Sequence, residues 1–260
     1  MSTQIGWLER ALWWAVYGAE WLLVIHLWRV GLARRYPSFF AYLVLLVATD
    51  SVLVWLDPAT TLYGGVYLAS VIPLAVLSLV AVLEIYKLAL QPYAGIYSLS
   101  RWVLTAAVAG SFLLAALTVW VDFQGPPEPY PILLLFNAFV RAFSLALLLL
   151  LLLINGFLWF MPVKTNRNTV THTWVFFLHF GVRTVTHLSR NLLGPESLHW
   201  ASPLLLCVDL VCMLWWRWRL SPEGETLPRP PGYHWDPETA QRLLRQLEQI
   251  NAQLSRGWWK

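Results

Sequence analysis

The chain has 260 residues, of which 58% are apolar and only 12% charged, with 17 tryptophans and a formal net charge of +4. That balance lies far from a soluble average and indicates an integral membrane protein. The positive excess sits at span ends, so it argues for membrane topology and against a nucleic-acid surface. No complete catalytic, metal or nucleotide motif occurs, and the expectation is a non-enzymatic protein.

Seven runs are long enough to cross about 30 Å of hydrocarbon at roughly 1.5 Å per helical residue: residues 7–28, 38–56, 62–90, 102–121, 130–161, 170–193 and 199–216. The expected fold is therefore all-α, a polytopic seven-helix bundle over residues 1–219. The first run carries Glu20 and His26 and lacks a basic segment followed by a small-residue cleavage site, so it reads as a retained span. The second carries Asp50, and the third is interrupted by Pro73. Both the third and the fifth exceed a perpendicular crossing and are expected to tilt or project.

The fourth run has a small surface, Ala106, Ala107, Ala109, Gly110, Ser111, Ala115 and Ala116, which suits close approach of neighbouring backbones and makes it the expected packing helix. An acidic, Pro-rich loop over 122–130 follows. The fifth run carries Asn137, Arg141 and Asn155, and its leucine stretch 145–153 has no polar face, so it is expected to meet lipid or a partner subunit.

The sixth run is the most polar. His172, Phe176, His179, Arg183, Thr186 with His187, and Arg190 recur every three or four residues and form one helical stripe. An ionisable group at mid-bilayer costs about 3 kcal/mol on insertion scales, so this stripe should face the interior and find partners there. The seventh run supplies one, Asp209; its Cys207 and Cys212, five residues apart on a helix, point in different directions and cannot pair.

The expected network joins Arg183 to Asp209 and Glu20, with Asp50 and Arg141 as a second pair. Three carboxyls (Glu20, Asp50, Asp209) against two arginines leave one carboxyl without a cation, which should be protonated or share its proton with His179. Such a network holds helices together or serves a proton relay, ion path or ligand pocket. His26, His172 and His179 are also available to a tetrapyrrole, haem or chlorophyll, with His26 and His172 at similar depth. A zinc hydrolase is disfavoured because H-E-x-x-H is missing, and a retinal Schiff base because the seventh run holds no lysine.

Basic residues set the orientation. Arg29, Arg34, Arg35, Lys87, Arg101, Lys164, Arg167, Arg217 and Arg219 fall at one set of span ends, against Arg10 and Arg190 at the other. The positive-inside bias places the N-terminus outside and the C-terminus in the cytoplasm. Beyond the bundle, residues 220–235 read as a Pro-rich linker. Residues 236–260 read as an amphipathic helix opened by Asp236, Pro237 and Glu238, with a seam of Ala240, Leu243, Leu247, Ile250 and Leu254. A helix this short needs a docking surface, so partner subunits or self-association are expected besides the lipid bilayer.

The stretch Arg34-Arg35-Tyr36-Pro37-Ser38-Phe39-Phe40-Ala41-Tyr42, with Glu84-Ile85-Tyr86-Lys87 and Gln91-Pro92-Tyr93, resembles a group of uncharacterised bacterial seven-helix membrane proteins. The resemblance covers most of residues 10–216. It implies the seven-helix fold in a bacterial inner membrane and no particular activity. The expected function is a membrane subunit, scaffold or sensor, with a proton-coupled transporter or channel and a tetrapyrrole-binding subunit as alternatives.

Overall fold

In the computed structural model the described residues are 7–57, 60–90, 94–124, 131–160, 165–194 and 198–226, with isolated helical positions within 241–249. These residues form helices and no strands: α1 (Trp7–Arg29), the single turn α2 (Leu32–Arg35), α3 (Pro37–Leu53), α4 (Thr61–Leu90), α5 (Ala94–Leu117), α6 (Pro131–Phe160), α7 (Arg167–Leu193) and α8 (Leu198–Arg219). Short 3-10 segments at Val119–Gln124 and Pro222–Glu225 follow α5 and α8. Four helical stretches, Thr61–Leu90, Leu104–Gln124, Leu134–Leu158 and Trp200–Arg219, are long and apolar enough to cross a membrane.

The helix ends follow from local chemistry. Gly31, at φ 78°, takes the left-handed turn between α1 and α2 that a side chain would strain. Pro37 starts α3, and Tyr36 before it supplies no side-chain cap. The cap comes instead from α4: the Glu84 carboxylate accepts from the Ser38 and Phe39 amides at 2.9 and 3.2 Å, setting negative charge at the positive end of α3. The N-cap of α7 is Asn166, whose Oδ1 accepts from the Thr169 amide at 2.7 Å.

The helices close on themselves. α8 packs between α1 and α7, α1 also packs on α3, α3 on α4, and α6 on α7, α5 and α4. The first and last long helices are therefore neighbours, which brings Glu20 of α1 and Asp209 of α8 to one interior. A single apolar core runs through this ring, with Leu23, Leu43, Ile85, Leu147, Leu150 and Phe176 each almost wholly enclosed.

Three expectations change. The leucine stretch of α6 does not look outward as a whole: Ala146, Leu147, Leu150 and Leu151 are buried, and only Leu152 and Leu153 are exposed. α6 must cover α4, α5 and α7 at once, and a helix flanked on three sides needs apolar residues nearly all round. The small-residue helix α5 takes the peripheral place. Its Ala107, Ser111 and Ala115, four residues apart, are buried, while Leu113, Leu114 and Leu117 are exposed. Gly110 has open space where a Cβ would stand, so it mediates no close approach. Finally, the linker assigned from residue 220 is not free at its start, because residues 220–226 dock on the bundle. The seam at Leu243, Leu247, Ile250 and Leu254 lies outside the described residues.

Candidate functional site: an interior polar network beneath a cleft

The stripe on α7 does face inward. His172 and His179 are buried together with Phe176 and Phe180, and α8 and α3 cover them. His179 stands between two charged neighbours. Its Nδ1 lies 2.8 Å from Asp209 Oδ1, and its Nε2 lies 3.3 Å from Arg183 Nη1. A guanidinium offers only donors, so Nε2 must present its lone pair. The ring proton then sits on Nδ1 and is donated to the Asp209 carboxylate, which fixes a neutral imidazole in one tautomer.

This corrects the direct Arg183–Asp209 pair. Among the described residues no nitrogen of Arg183 lies within ion-pair distance of Asp209; the two feel each other's charge at longer range, with the His179 ring bonded to both. The second expected pair also fails. Asp50 does not meet Arg141; its side chain hydrogen-bonds the carboxyl of Glu20. Two carboxyls hydrogen-bond only if a proton lies between them, so this contact between α1 and α3 is a place where one proton can be held. The carboxyl surplus read from the sequence is thus accommodated by another carboxyl.

Arg141 instead holds Asp122, just after α5. Its Nε donates to the two carboxylate oxygens at 2.7 and 2.9 Å, and Nη2 donates at 2.5 Å. Thr118 and Asn191 complete the shell. Both partners are about 98% or more enclosed. The sequence places Asp122 at the start of the acidic, Pro-rich loop over 122–130; in the structure it belongs to the 3-10 turn after α5, which turns it back to Arg141 of α6. Its position 19 residues before a buried arginine was the available signal. Asn137 accepts from Arg190 Nη1 at 3.1 Å and Asn155 donates to Tyr86 at 2.7 Å, so both polar groups of α6 find partners.

Two cavities flank the network. A cleft of about 640 Å³ opens at the end of the bundle where α1 and α8 begin and α7 ends. Trp13, Trp14, Tyr67 and Leu205 contribute apolar wall, and Arg10, His187 and Arg190 contribute polar groups. A small cavity of about 70 Å³ lies at mid-depth between α3, α4, α6 and α7, with Tyr42, Ser78, Ser144, His179 and Arg183 on its wall. Tyr67 stands in the cleft wall and also within electrostatic reach of Arg183, so the cleft floor adjoins the network.

The opposite end is closed. His172 is fully enclosed by rings, with centroids 4.9 Å from Tyr36, 4.8 Å from Phe39 and 6.1 Å from Trp216. Neither of its ring nitrogens has a hydrogen-bond partner among the described residues. Below this aromatic plug, residues 220–226 form a strap. His26 Nε2 donates to the Leu220 carbonyl at 2.9 Å, and Glu225 accepts from Tyr36 at 2.6 Å and from Asn168. Burial and the acceptor Glu225 push the Tyr36 hydroxyl well above the ordinary tyrosine range.

The tetrapyrrole expectation meets this packing directly. A porphyrin plate on His172 would have to replace Tyr36 or Phe39, His26 is held by Leu220, and His179 is held by Asp209 and Arg183. The three histidines serve as a packed ring, a strap anchor and a network centre.

Fold and site together give an all-α bundle, four of its helices long and apolar enough to cross a membrane, with an ionisable network between a cleft at one end and an aromatic seal at the other. No protein-family profile, characterised protein or solved structure matches the chain.

Proposed function

We propose that the chain is a seven-helix inner-membrane protein, N-terminus outside, that couples occupancy of its cleft to proton movement, as a proton-coupled transporter or channel does. α1, α3 and α7 complete the seven spans in this reading. They pack side by side with the four strongly apolar helices, and the groups that lower the apolarity of α1 and α7, Glu20, His179 and Arg183, have partners inside the bundle. The strap-bearing end gathers Arg29, Arg34, Arg35, Arg167, Arg217 and Arg219, which supports a cytoplasmic assignment.

The observation that carries the proposal is the placement of His179 between Asp209 and Arg183. Arg183 and an incoming proton compete for one lone pair on Nε2. Protonation makes the ring a cation, repels Arg183 and strengthens the bond to Asp209. The small cavity on whose wall Arg183 stands gives the guanidinium room to withdraw. Asp209, with 28% of its side chain accessible, and the proton-sharing Glu20–Asp50 pair supply neighbouring sites for that proton.

The scaffold or sensor reading presents the fifth span and the cytoplasmic helix to partners; burial of Leu147, Leu150 and Leu151 reduces the first of these surfaces, and the seam of the second lies outside the described residues. Reconstituted vesicles with an imposed pH gradient test the proposal. Wild-type protein gives a proton flux that Asp209→Asn and His179→Ala abolish. No flux above protein-free vesicles, with or without solutes added on the cleft side, overturns it.

A further inference from the structure

The small cavity between α3, α4, α6 and α7 has an apolar side formed by residues such as Leu46, Leu74 and Phe143. A cavity lined only in this way stays dry. This one also has a polar side. Ser144 of α6 is 3% exposed and Tyr42 of α3 is 5% exposed, and both stand on its wall. Neither hydroxyl makes a hydrogen bond with any described residue, yet both oxygens are reached by open volume.

Ser144 departs from the usual habit of a serine inside a helix, which is to return its proton to a backbone carbonyl of the preceding turn. Ser78 and Ser111 do this, to Ala75 and Val108 at 2.8 and 2.9 Å. Arg183 adds donors to the same wall. It gives one N–H to His179, and no other hydrogen bond from its guanidinium ends on a described residue. A hydroxyl and a guanidinium left without partners in a low-dielectric interior are costly, and a bridging water removes that cost because it both donates and accepts. The volume of about 70 Å³ exceeds the roughly 10–15 Å³ that the centre of one water requires, and two to four polar partners are about what such a water needs.

We propose that this cavity is a hydration site, with water bridging Tyr42 Oη, Ser144 Oγ and the donors of Arg183 that His179 does not take. The inference deepens the proton-coupled reading and rests on it only for its consequence. His179 shares the wall, so a hydronium reaching the cavity gives its proton to the Nε2 lone pair and is left as water. The hydration itself is independent of any flux.

The test uses the full chain in lipid bilayers, labelled at tyrosine, and follows magnetisation passed from water protons to the rings by solid-state magnetic resonance. Tyr42 is identified by difference against Tyr42→Phe. Tyr86 is the internal comparison, since it is equally enclosed and its hydroxyl is already engaged by Asn155 at 2.7 Å. The Tyr42 ring should gain water magnetisation several-fold faster than the Tyr86 ring. Ser144→Ala, which adds no bulk, should retain that transfer, and Ser144→Leu, which fills the space, should abolish it; Ser144→Val replaces the leucine variant if that one does not fold. Equal rates for Tyr42 and Tyr86, transfer to Tyr42 from lipid chains in place of water, or a water signal that survives the filling variant overturns the site. Water transfer to Tyr42 without proton flux would preserve the hydration site and remove the coupling; flux with a dry Tyr42 would do the reverse.

Discussion

Arg141 of α6 and Asp122 after α5 form a fully enclosed ion pair, with both carboxylate oxygens engaged by the Nε and Nη2 donors of one guanidinium. Removing either partner leaves the other charge unmatched in a low-dielectric interior, at about 3–5 kcal/mol, whereas replacing both leaves no orphan charge. Arg141→Leu and Asp122→Leu should each lower the melting temperature in mild detergent more than the double variant does. Additive losses would show that the two groups are not coupled.

His172 gives the opposite expectation. Its ring is enclosed by Tyr36, Phe39, Phe176 and Trp216, and neither nitrogen is paired among the described residues. A buried unpaired polar group costs about 1–3 kcal/mol. His172→Phe, close in shape and without that cost, should hold or raise thermal stability. A drop of similar size would reveal a partner for the imidazole that the packing does not account for.

The strap should respond to backbone bulk. A Cβ on Gly224 would stand 2.1 Å from Asn168 Oδ1, and Asn168 is wholly buried, so it has no space to withdraw. Gly224→Ala should therefore free residues 220–226 and expose a protease-sensitive site after α8, while the helix content is retained. Unchanged protease resistance would show that Asn168 shifts without loss.

Alkali should release the same strap through Tyr36. Its hydroxyl donates to Glu225, and its proton is held more tightly in the folded state than the usual value of about 10 for a free tyrosine. A group raised on folding contributes its full stability below the unfolded value and loses it as pH climbs towards the folded one. Strap docking, followed by a fluorophore placed near residue 226, should weaken from about pH 10 upward, and Tyr36→Phe should remove most of that pH dependence. An identical alkaline profile in the variant would assign the effect elsewhere.

A proton held between Glu20 and Asp50 would have a vibrational signature. Infrared spectra of the wild type at neutral pH should contain the carbonyl stretch of a protonated carboxylic acid, and Glu20→Gln or Asp50→Asn should each change it. Spectra showing only carboxylate bands would place two negative charges in contact and contradict the pairing.

Much of this was legible in the chain because the membrane imposes strict terms. Apolar runs of sufficient length predicted the long helices, and a polar stripe at helical spacing predicted which face of α7 turns inward. Pairing was harder to read. Depth alone could not distinguish Asp50 from Asp122 as the partner of Arg141, since the decisive fact is a 3-10 turn that follows α5 and reverses the chain. Nor does a leucine-rich run tell lipid from protein, as both surroundings are apolar, so the central place of α6 emerged only from its neighbours. The docking of Glu225 on Tyr36 and Asn168 joins positions far apart in sequence, and no local pattern marks it.

The central claim is that Arg183 and a proton compete for Nε2 of His179. Nitrogen-15 magnetic resonance of histidine-labelled protein in bilayers, with His179 identified by difference against His179→Asn, observes this directly. The account predicts a ring that carries its proton on Nδ1 and an Nε2 resonance that shifts once Arg183→Leu removes the donor beside it. A ring already protonated on Nε2 with Arg183 in place, or an Nε2 resonance indifferent to Arg183→Leu, would contradict it.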